Sequence, residues 1–420
     1  MIKLLLASMI GTMTVLAQLS SNPVSPIREG LDRTEAVKIT DNIYQAVGFG
    51  NTFLLTTPAG NVIIDTSSTV AAPLHVKLLK ARSTGLVKYI ILTHGHGDHT
   101  GGVDLWKEPG TQIVAQRNQT EFLNYQARLN RFFALRNSAQ FNFPMPAPMA
   151  WPGDEGAKQL ATILFDDKYE FTLGGVKFEI FSTPGETPDH LSVWIPQWKA
   201  AFVGDNFYAS FPNIYTLRGT EPRMALDYVH SLNKVLSWKP ELMMPSHGAA
   251  ISGGQNITAQ VTKYRDAILY VHDAVVKGMN DGKDVFTLMR EIELPSRLDV
   301  GEGYGKLTWS IRGIYEGYAG WFDLNPATMY EVPPSSPYAD LVNMAGGVDV
   351  VVSRALELLQ NGQGPEALRM VDAALVHTPS HRGAWEARLK ALEYLRDRSK
   401  NSNERGWLEF SIRETQGKLK

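Results

Sequence analysis

The chain has 420 residues, of which 44% are hydrophobic and 20% are charged, with a formal net charge of −2. This composition is typical of a globular protein with room for two or three domains. The near-neutral charge gives no reason to expect a nucleic-acid partner, and the lack of cysteine excludes disulfides, thiolate metal sites and cysteine nucleophiles.

The first residues have the features of a secretory signal peptide. Lys3 precedes the apolar run LLLASMIGTMTVLA, and the chain turns polar at Gln18. The run is shorter than the ~20 residues that a membrane span needs, and Val15 and Ala17 suit a cleavage site. We predict a signal peptide at residues 1–17, a secreted or periplasmic location and no stable membrane span after processing. An uncleaved membrane anchor is the alternative.

The next part of the chain alternates predicted strands and helices. Short strands with turn residues run from Ala36 to about Val70, followed by the helical stretch APLHVKLLKARS and the apolar strand VKYIILT. A second strand-rich tract covers KYEFTLGGVKFEIFSTPG, LSVWIP and AAFVGD, and the helical pattern RMALDYVHSLNKVLSW follows it. This order predicts an α/β protein in which sheets pack against helices.

After the break EVPPSSPYAD the pattern becomes helical. Apolar residues fall on one helix face at Ala367, Met370, Val371, Ala374 and Leu375, and a second apolar face starts at Ala384. We predict an antiparallel helix pair that buries its apolar stripe against the main domain or against another copy of the chain.

The stretch IILTHGHGDHTGG contains three histidines and an aspartate within six residues, His94 to His99. His94 and His96 follow a predicted strand and point to the same side. Imidazole and carboxylate ligands without thiolate suit Zn²⁺ best, although Fe and Mn are also compatible. Four ligands on so short a loop exceed what one tetrahedral ion can take while keeping an open position. The stretch therefore predicts two metal ions, with further ligands from later in the chain.

THGHGDH matches the HxHxDH signature and so resembles the metallo-β-lactamase superfamily. The resemblance implies an αββα sandwich, followed here by an all-α helical domain, and a binuclear zinc hydrolase that uses a metal-bound hydroxide. It places later ligands at His190 in FSTPGETPDH, Asp205 in AAFVGD and His247 in MMPSHG. The implied sites are His94, His96 and His190 for one zinc, and Asp98, His99 and His247 for the other, with Asp205 bridging both. Asp98 would also orient the hydroxide.

Asp65, in NVIIDTSS, is similar to the aspartate that steadies the ligand loop of this superfamily by hydrogen bonding. An N-capping role after a strand is the alternative. The other histidines lie outside the pattern and are expected to be surface or packing residues; they are His75, His230, His272, His377 and His381.

FPNIYTLRG, YGKLTWSIRGIYEGYAGWFDLNPATMY and the helical tail resemble the alkyl sulfatase branch of the superfamily. The resemblance implies that Asn213 and Arg218 hold a sulfate group and that the C-terminal helices form a homodimer. An arginine fork suits a tetrahedral oxyanion. Pairing of Arg218 with a surface acid such as Glu221 is the alternative.

Three departures from that branch bear on the substrate. The branch has glutamates where this chain has His190 and Asp205, and a histidine regarded as a catalytic acid where this chain has Trp309. The chain also ends where the branch continues into a sterol-carrier-like domain. With two Zn²⁺, two aspartates and a hydroxide the charges sum to +1, which favours an anion of unspecified kind.

The insertion RFFALRNSAQFNFPMPAPMAWP, residues 131–152, could form an apolar lid over the metals or tuck its aromatic side chains into the domain's own core.

We predict a catalytic domain at 35–285, a connecting segment at 286–337 and a helical dimerisation domain at 338–420. The expected substrate is a small molecule, an alkyl sulfate or a similar anionic ester with an apolar tail. The alternative is a carboxyl substrate such as a β-lactam, lactone or ester. A protein-binding helical repeat is a less economical interpretation of the C-terminal helices.

Overall fold

The computed structural model describes residues 26–143 and 157–420. The predicted signal peptide at 1–17 and residues 144–152 of the insertion therefore lie outside the described residues. The described residues form two compact units. Apart from the gap, the first contains 26–136 and 143–317, and the second contains 137–142 and 318–420. The predicted domain boundaries at 286 and 338 stay a prediction.

Seven strands form the first sheet in chain order. They are β1 Val37–Lys38, β2 Ile43–Ala46, β3 Thr52–Thr57, β4 Gly60–Ile64, β5 Val87–Ile91, β6 Gln112–Gln116 and β7 Ile163–Phe165. The strands β1 to β4 are antiparallel neighbours, whereas β4 to β7 run parallel. Because parallel strands end at the same edge of a sheet, the loops that follow β4 and β5 come together there.

Six strands form the second sheet, in the order β13-β12-β11-β10-β9-β8. They are β8 Lys168–Leu173, β9 Val176–Ser182, β10 Leu191–Ile195, β11 Ala200–Gly204, β12 Leu242–Pro245 and β13 Ile251–Ser252. Every residue of β10 and β11 is buried, as expected for strands covered on both faces. The edge strand β8 alternates exposed and half-buried residues, and its Lys168 pairs with Glu170 and Glu179. Charge of this kind on an edge strand opposes pairing with another chain.

The two sheets face each other across an apolar layer. Phe53, Val62 and Ile91 of the first sheet belong to the same buried cluster as Val193 and Phe202 of the second. The outer face of the first sheet packs against helix Ala72–Lys80, and that of the second packs against the helices Ala225–Ser237 and Gly254–Asn280. The predicted αββα sandwich is confirmed by this layering.

The helices of the first unit, in chain order, are α1 Ala72–Lys80, α2 Gly97–Thr100, α3 Val103–Trp106, α4 Gln119–Arg128, α5 Asn130–Phe141, α6 Ala225–Ser237, α7 Gly254–Asn280, α8 Val285–Glu291 and α9 Leu307–Ala319. The last residues of α5 and α9 are counted in the second unit. Short 3-10 turns lie at Pro26–Arg28, Pro196–Trp198, Ser296–Leu298 and Pro326–Met329. No helix among the described residues combines the length and apolar character needed to cross a membrane.

The second unit is helical, as predicted. Five helices lie wholly within it: α10 Tyr338–Met344, α11 Val348–Gln360, α12 Gly364–His377, α13 Arg382–Arg398 and α14 Ser402–Leu419. The apolar face of α12 packs through Val371 and Ala374 on Val351 of α11 and Ala387 of α13. The helix pair therefore has neighbours within its own unit, which the sequence analysis did not predict, and packing of these helices on another copy of the chain stays a prediction.

Candidate metal centre

The ligand loop leaves the end of β5 and enters the short helix α2. His96 is the residue before that helix, with extended backbone angles, and His99 is buried on the helix itself. A side chain at Gly95 would meet Phe122 at 2.6 Å. Glycine at 95 therefore lets the backbone pass close to Phe122 while the histidines on either side turn toward one another.

Six of the seven predicted ligands fall into two clusters, within each of which the ligand atoms all lie within 4.8 Å of one another. The clusters are His94, His96 and Asp205, and Asp98, His99 and His247. The Nε2 atom of His94 lies 2.8 Å from Nδ1 of His96. Asp205 belongs to both neighbourhoods, because its Oδ2 is 3.8 Å from Nε2 of His94, 3.4 Å from Nε2 of His99 and 3.1 Å from Nε2 of His247.

The chemistry of these donors fits metal cations. Nε2 of His99 and Oδ1 of Asp205 are buried without a hydrogen-bond partner among the described residues. Unsatisfied buried polar atoms are costly unless a ligand completes them. The atoms that converge here are imidazole nitrogens and carboxylate oxygens, the donors that Zn²⁺ accepts readily. Six of the seven predicted ligands are thus brought together, whereas the identity and number of the ions stay predictions.

Burial and neighbouring charges shift the pKa values of the histidines and aspartates at the centre. Burial lowers the pKa of His94 and of His96 well below the ordinary value. Burial acts in the same direction on His99, but the Asp205 and Asp98 carboxylates outweigh it and raise the pKa of His99 well above the ordinary value. The pKa of Asp205 is lowered well below its usual range, because His247 and His99 outweigh burial, which acts to raise it. The centre therefore holds ionised carboxylates that require positive charge beside them.

His190 lies beside the first cluster but outside it. Its ring centroid is 5.4 Å from that of His94. Its Nε2 accepts the backbone N–H of Asp205 at 3.1 Å, and its Nδ1 lies 3.2 Å from Oγ1 of Thr183. Burial lowers the pKa of His190 to about 4, so the ring is neutral at pH 7. Its role as third ligand of the first site stays a prediction.

Asp65 stabilises the ligand loop through hydrogen bonds. Its carboxylate accepts the backbone N–H and the hydroxyl of Thr93, both at 2.8 Å, and the hydroxyl of Ser246 at 2.8 Å. Nδ1 of His99 lies 2.9 Å from Oδ2 of the same carboxylate. Because Nδ1 of His99 faces Asp65, Nε2 is the ring nitrogen that faces the cluster. The N-capping alternative does not describe this residue, because α1 begins at Ala72 after Ala71.

Arg218 reaches the centre from the segment that follows β11. The residue is 9% exposed, and its Nη2 lies 3.0 Å from Nε2 of His96. The backbone carbonyls of Leu217 and Arg218 accept hydrogen bonds from the Arg136 guanidinium at 2.5 and 2.7 Å. Arg136, which sequence reasoning missed, thereby fixes the backbone that presents Arg218.

Asn213 lies on the same segment, five residues before Arg218. Its backbone N–H donates to the Tyr208 hydroxyl at 2.6 Å, and its carbonyl accepts Nη1 of Arg223 at 2.7 Å. Oδ1 of Asn213 is buried without a hydrogen-bond partner among the described residues. The carboxamide oxygen thus remains able to accept a hydrogen bond.

A buried ionic network supports this segment, and sequence reasoning missed it. Oε2 of Glu186 accepts Nη1 of Arg223 at 2.5 Å and the Tyr228 hydroxyl at 2.8 Å. The other carboxylate oxygen, Oε1, lies 3.9 Å from Nδ1 of His96. One connected set of side chains therefore joins the Asn213 backbone to the first cluster. The only sequence signal was the acid in TPGETPDH, four residues before His190.

An apolar cavity of about 300 Å³ opens beside the second cluster, with His247 in its wall. Aromatic side chains line it: Phe49, Phe207, Tyr208 and Tyr304. Phe49 contacts the His247 ring at a centroid distance of 5.3 Å. The carboxylate of Glu29 also lines the cavity, and burial raises its pKa. The cavity therefore offers an apolar wall that reaches a predicted metal ligand.

The described part of the predicted lid is helical. Phe133 of α5 is buried against Tyr125, with ring centroids 5.4 Å apart, whereas Phe132 and Leu135 are exposed. The other histidines occupy packing or surface positions. Nδ1 of His75 lies 3.0 Å from Thr52, and Nδ1 of His381 accepts the backbone N–H of Ala384 at the start of α13.

The fold and the ligand loop define a member of the metallo-β-lactamase superfamily. The model of that superfamily matches residues 46–247, and the model of the alkyl sulfatase dimerisation domain matches residues 287–417. The chain belongs to this superfamily and carries both domains. Within it, the chain is homologous to linear primary and secondary alkylsulfatases.

Two curated relatives illustrate that homology. A linear primary-alkylsulfatase of a Pseudomonas species is 28% identical over 87% of this chain and 74% of its own length. An alkyl/aryl-sulfatase of Saccharomyces cerevisiae is 28% identical over 85% of this chain and 60% of its own length. The solved structure of the inverting sec-alkylsulfatase Pisa1 from Pseudomonas superposes with a TM-score of 0.82. It shares 21% identity over 92% of this chain and 66% of its own, and it shows the fold. The chain thus spans about 60% to 74% of these relatives.

Proposed function

We propose that this chain hydrolyses sulfate esters that carry an apolar group, with two zinc ions held by the two clusters. The alkylsulfatase relatives support the reaction class. The observation that carries the proposal is the buried guanidinium of Arg218, whose Nη2 lies 3.0 Å from Nε2 of His96. The guanidinium carries a positive charge beside a predicted metal ligand, and its planar fork matches the geometry of sulfate oxygens.

The site would have one region for the sulfate group of the substrate, its head, and another for the apolar group, its tail. Arg218 and Asn213 would bind the sulfate oxygens, and the cavity lined by Phe49 and Phe207 would take the apolar group. When bound, zinc supplies a water molecule activated for attack at neutral pH. The Oδ2 atom of Asp98, 3.4 Å from the Nε2 atoms of both His99 and His247, would orient that water toward sulfur.

Sulfate release tests the proposal directly. Purified chain with a measured zinc content is incubated with octyl sulfate, with nitrocefin and with a lactone, and the sulfate is measured by ion chromatography. We expect sulfate release that stops on chelation and returns with zinc. Arg218→Gln should raise KM for octyl sulfate at least tenfold, because a charged hydrogen-bond partner of the anion is lost. Glu221→Gln is the control. Turnover of nitrocefin or the lactone without sulfate release would refute the proposal.

A second candidate is a zinc hydrolase of carboxyl substrates such as a β-lactam, lactone or ester. His190 and Asp205 stand where the resembling branch has glutamates, and Trp309 stands where it has a histidine. An indole N–H cannot act as an acid toward a leaving alcohol. The nitrocefin and lactone assays above distinguish this candidate from the first.

A homodimer is part of the proposal. It is supported by the match of residues 287–417 to the alkyl sulfatase dimerisation domain. Exposed apolar side chains on the helices of the second unit are also consistent with it, and they include Leu341, Met344, Val350 and Val376.

We further propose that residues 1–17 are removed during export and that the mature protein is secreted or periplasmic. Support comes from Lys3, the apolar run that follows it and the small residues before Gln18. N-terminal sequencing of protein recovered outside the cytoplasm should begin at Gln18. Recovery of the intact N-terminus in the membrane fraction would favour the anchor instead.

A further inference from the structure

We propose that Tyr304 donates a proton to the alcohol oxygen that leaves when the ester is cleaved. This inference rests on the proposed function, because it concerns how the same site would break a sulfate ester. Among the described residues that line the apolar cavity, two carry a phenol that could take part in that step, Tyr208 and Tyr304.

Tyr304 lies where the apolar cavity meets the charged groups of the site. Its side chain lines the cavity together with His247. Burial raises the pKa of its phenol, the Arg218 guanidinium acts to lower it, and the Glu186 and Asp98 carboxylates act to raise it. The cavity wall also contains Tyr208, whose ring meets that of Tyr304, so Tyr304 lies between the predicted ligand His247 and the segment that carries Asn213 and Arg218. The ester oxygen of a substrate joins its sulfate head to its apolar tail and would occupy this same boundary.

The backbone around Tyr304 is attached to the substrate-binding segment. The N–H of Tyr304 donates to Oγ of Ser210 at 3.0 Å, and the N–H of Phe211 donates to the carbonyl of Gly301 at 2.7 Å. A Cβ atom at Gly305 would approach the carbonyl oxygen of Phe211 to 2.2 Å, so the two segments pack backbone to backbone. The Tyr304 ring also meets the Tyr208 ring edge-on, with centroids 5.6 Å apart. The phenol is therefore fixed relative to Asn213 and not carried on an isolated loop.

The neighbouring phenol of Tyr208 contacts the backbone of the sulfate-binding segment. Its hydroxyl oxygen accepts the backbone N–H of Asn213 at 2.6 Å, so it supports the sulfate-binding segment. Trp309 carries only an indole N–H, which is not an acid in water. We therefore assign the leaving group to Tyr304, and the variant Tyr208→Phe tests this choice against the neighbouring phenol.

The proposed step balances as follows. The oxygen of water forms a bond to sulfur, the bond between sulfur and the alkyl oxygen breaks, and its electron pair goes to that oxygen. The alkyl oxygen takes the proton of the Tyr304 hydroxyl and leaves as the alcohol. Of the two protons that water loses, one restores the phenol and the other goes to solvent, so the products are alcohol, sulfate and one proton. The nearby Arg218 guanidinium would stabilise the transient phenolate.

The test uses Tyr304→Phe in the full chain with two substrates that differ in leaving group. Octyl sulfate releases a strongly basic alkoxide unless it is protonated, whereas 4-nitrophenyl sulfate releases a weakly basic phenolate. We expect kcat/KM to fall about 10²- to 10⁴-fold for octyl sulfate, the usual range for loss of a general acid. The loss for 4-nitrophenyl sulfate should stay below about tenfold, because that leaving group needs little protonation.

A binding readout separates a chemical from a structural role. Octyl sulfonate has the same head and tail but no ester oxygen, so Tyr304→Phe should bind it about as tightly as the unsubstituted protein in calorimetry. Tyr208→Phe is the matched variant, since it removes a phenol of the same cavity. That change should weaken sulfonate binding and reduce the turnover of both sulfate esters by similar factors.

Two results would overturn the inference without touching the proposed function. One is an equal loss on both esters in Tyr304→Phe, or no loss on octyl sulfate. The other is ¹⁸O from labelled water appearing in octanol, because cleavage of the carbon–oxygen bond makes sulfate the leaving group. Absence of sulfate release by the unsubstituted, zinc-loaded protein would instead refute the proposed function and this inference with it.

Discussion

At the scale of single residues, Asp65 combines an uncommon backbone conformation with a concentrated set of hydrogen bonds. Its φ is 55°, in the left-handed region that few residues other than glycine and asparagine adopt. Its carboxylate accepts from two groups of Thr93 and from Ser246, and it faces Nδ1 of His99. Such strain persists where the surrounding structure requires it. Here the requirement is the orientation of a predicted metal ligand.

Asp65→Asn should therefore weaken zinc binding while the fold remains. Asparagine tolerates the left-handed region, but its amide cannot supply the negative charge that orients His99. Loss of such a partner typically reduces metal affinity 10- to 100-fold. Competition with a chromogenic chelator measures the affinity, and Asp41→Asn, at an exposed ion pair with Lys38, is the control. Equal affinities in the two variants would contradict this role.

The burial of His75 leads to a prediction about how the stability of the fold depends on pH. Burial lowers its pKa from 6.5 to about 4. In the folded protein the ring stays neutral down to about pH 4, whereas in the unfolded chain it takes up a proton below 6.5. The unfolded state thus binds more protons in this window, so stability is complete above pH 6.5 and is lost as the pH falls toward 4. The contribution is about 3 kcal/mol, at about 1.4 kcal/mol for each pH unit.

The comparison that checks this uses His75→Gln. Glutamine retains polar atoms for Thr52 and Val47 but does not titrate. Thermal midpoints of the two chelator-treated proteins are measured at pH 7 and at pH 5. The unsubstituted protein should lose more stability than the variant between these values. Parallel losses would show that His75 contributes nothing to the acid sensitivity.

At the scale of elements, the end of β11 determines where two predicted ligands lie. Gly204 closes the strand with a φ of 54°, and Asp205 follows it directly. A Cβ atom at Gly204 would lie 2.2 Å from Nε2 of His190. The strand end is therefore shaped so that the Asp205 amide can meet the His190 ring, while the Asp205 carboxylate turns to the clusters.

Gly204→Ala should accordingly reduce both stability and zinc content. The left-handed backbone alone costs a residue other than glycine about 1–2 kcal/mol. Gly110→Ala isolates that cost, because Gly110 also has positive φ but no atom within 4 Å of an added Cβ. We expect a lower thermal midpoint in both variants, but a loss of bound zinc, measured by elemental analysis, only at position 204. Full zinc content in Gly204→Ala would contradict the importance of this contact.

The sequence predicted groupings of residues that lie close together along the chain, but not contacts between residues that are far apart in it. His94, His96, Asp98 and His99 lie on one short loop, so their spacing alone indicated a metal site. His190, Asp205 and His247 were located only through the order of motifs in a resembling family. The ionic network of Glu186 and Arg223 was not predicted, because its members are 37 residues apart and share no periodic pattern. Arg136 likewise meets Leu217 across 81 residues, a contact that only the folded chain reveals.

At the scale of the whole molecule, the chain divides into two units with separate cores. The first unit holds every predicted metal ligand, together with Asn213 and Arg218. The second has its own apolar cluster, which includes Val342, Val351 and Val371. Sequence analysis predicted both parts but described only the pair α12 and α13 in the second, although the apolar pattern of α11 is at least as pronounced.

Self-association through the second unit is the prediction at this scale. Light scattering of the full chain should give about twice the monomer mass of 46.6 kDa. Met344→Glu places a charge on a side chain that is 75% exposed in the second unit, and it should shift the mass toward the monomer on dilution. Leu86→Glu, at a residue of the first unit that is 60% exposed, is the matched control. A monomeric full chain at all concentrations would remove the dimer from the proposed function.

The position of Asp205 has a thermodynamic consequence. One of its oxygens lies within 4 Å of imidazole nitrogens from both clusters. If each cluster takes up one cation, occupancy of either cluster would alter the charge that the other offers. The loading curve would then be a property of the pair, and two independent dissociation constants would not describe it.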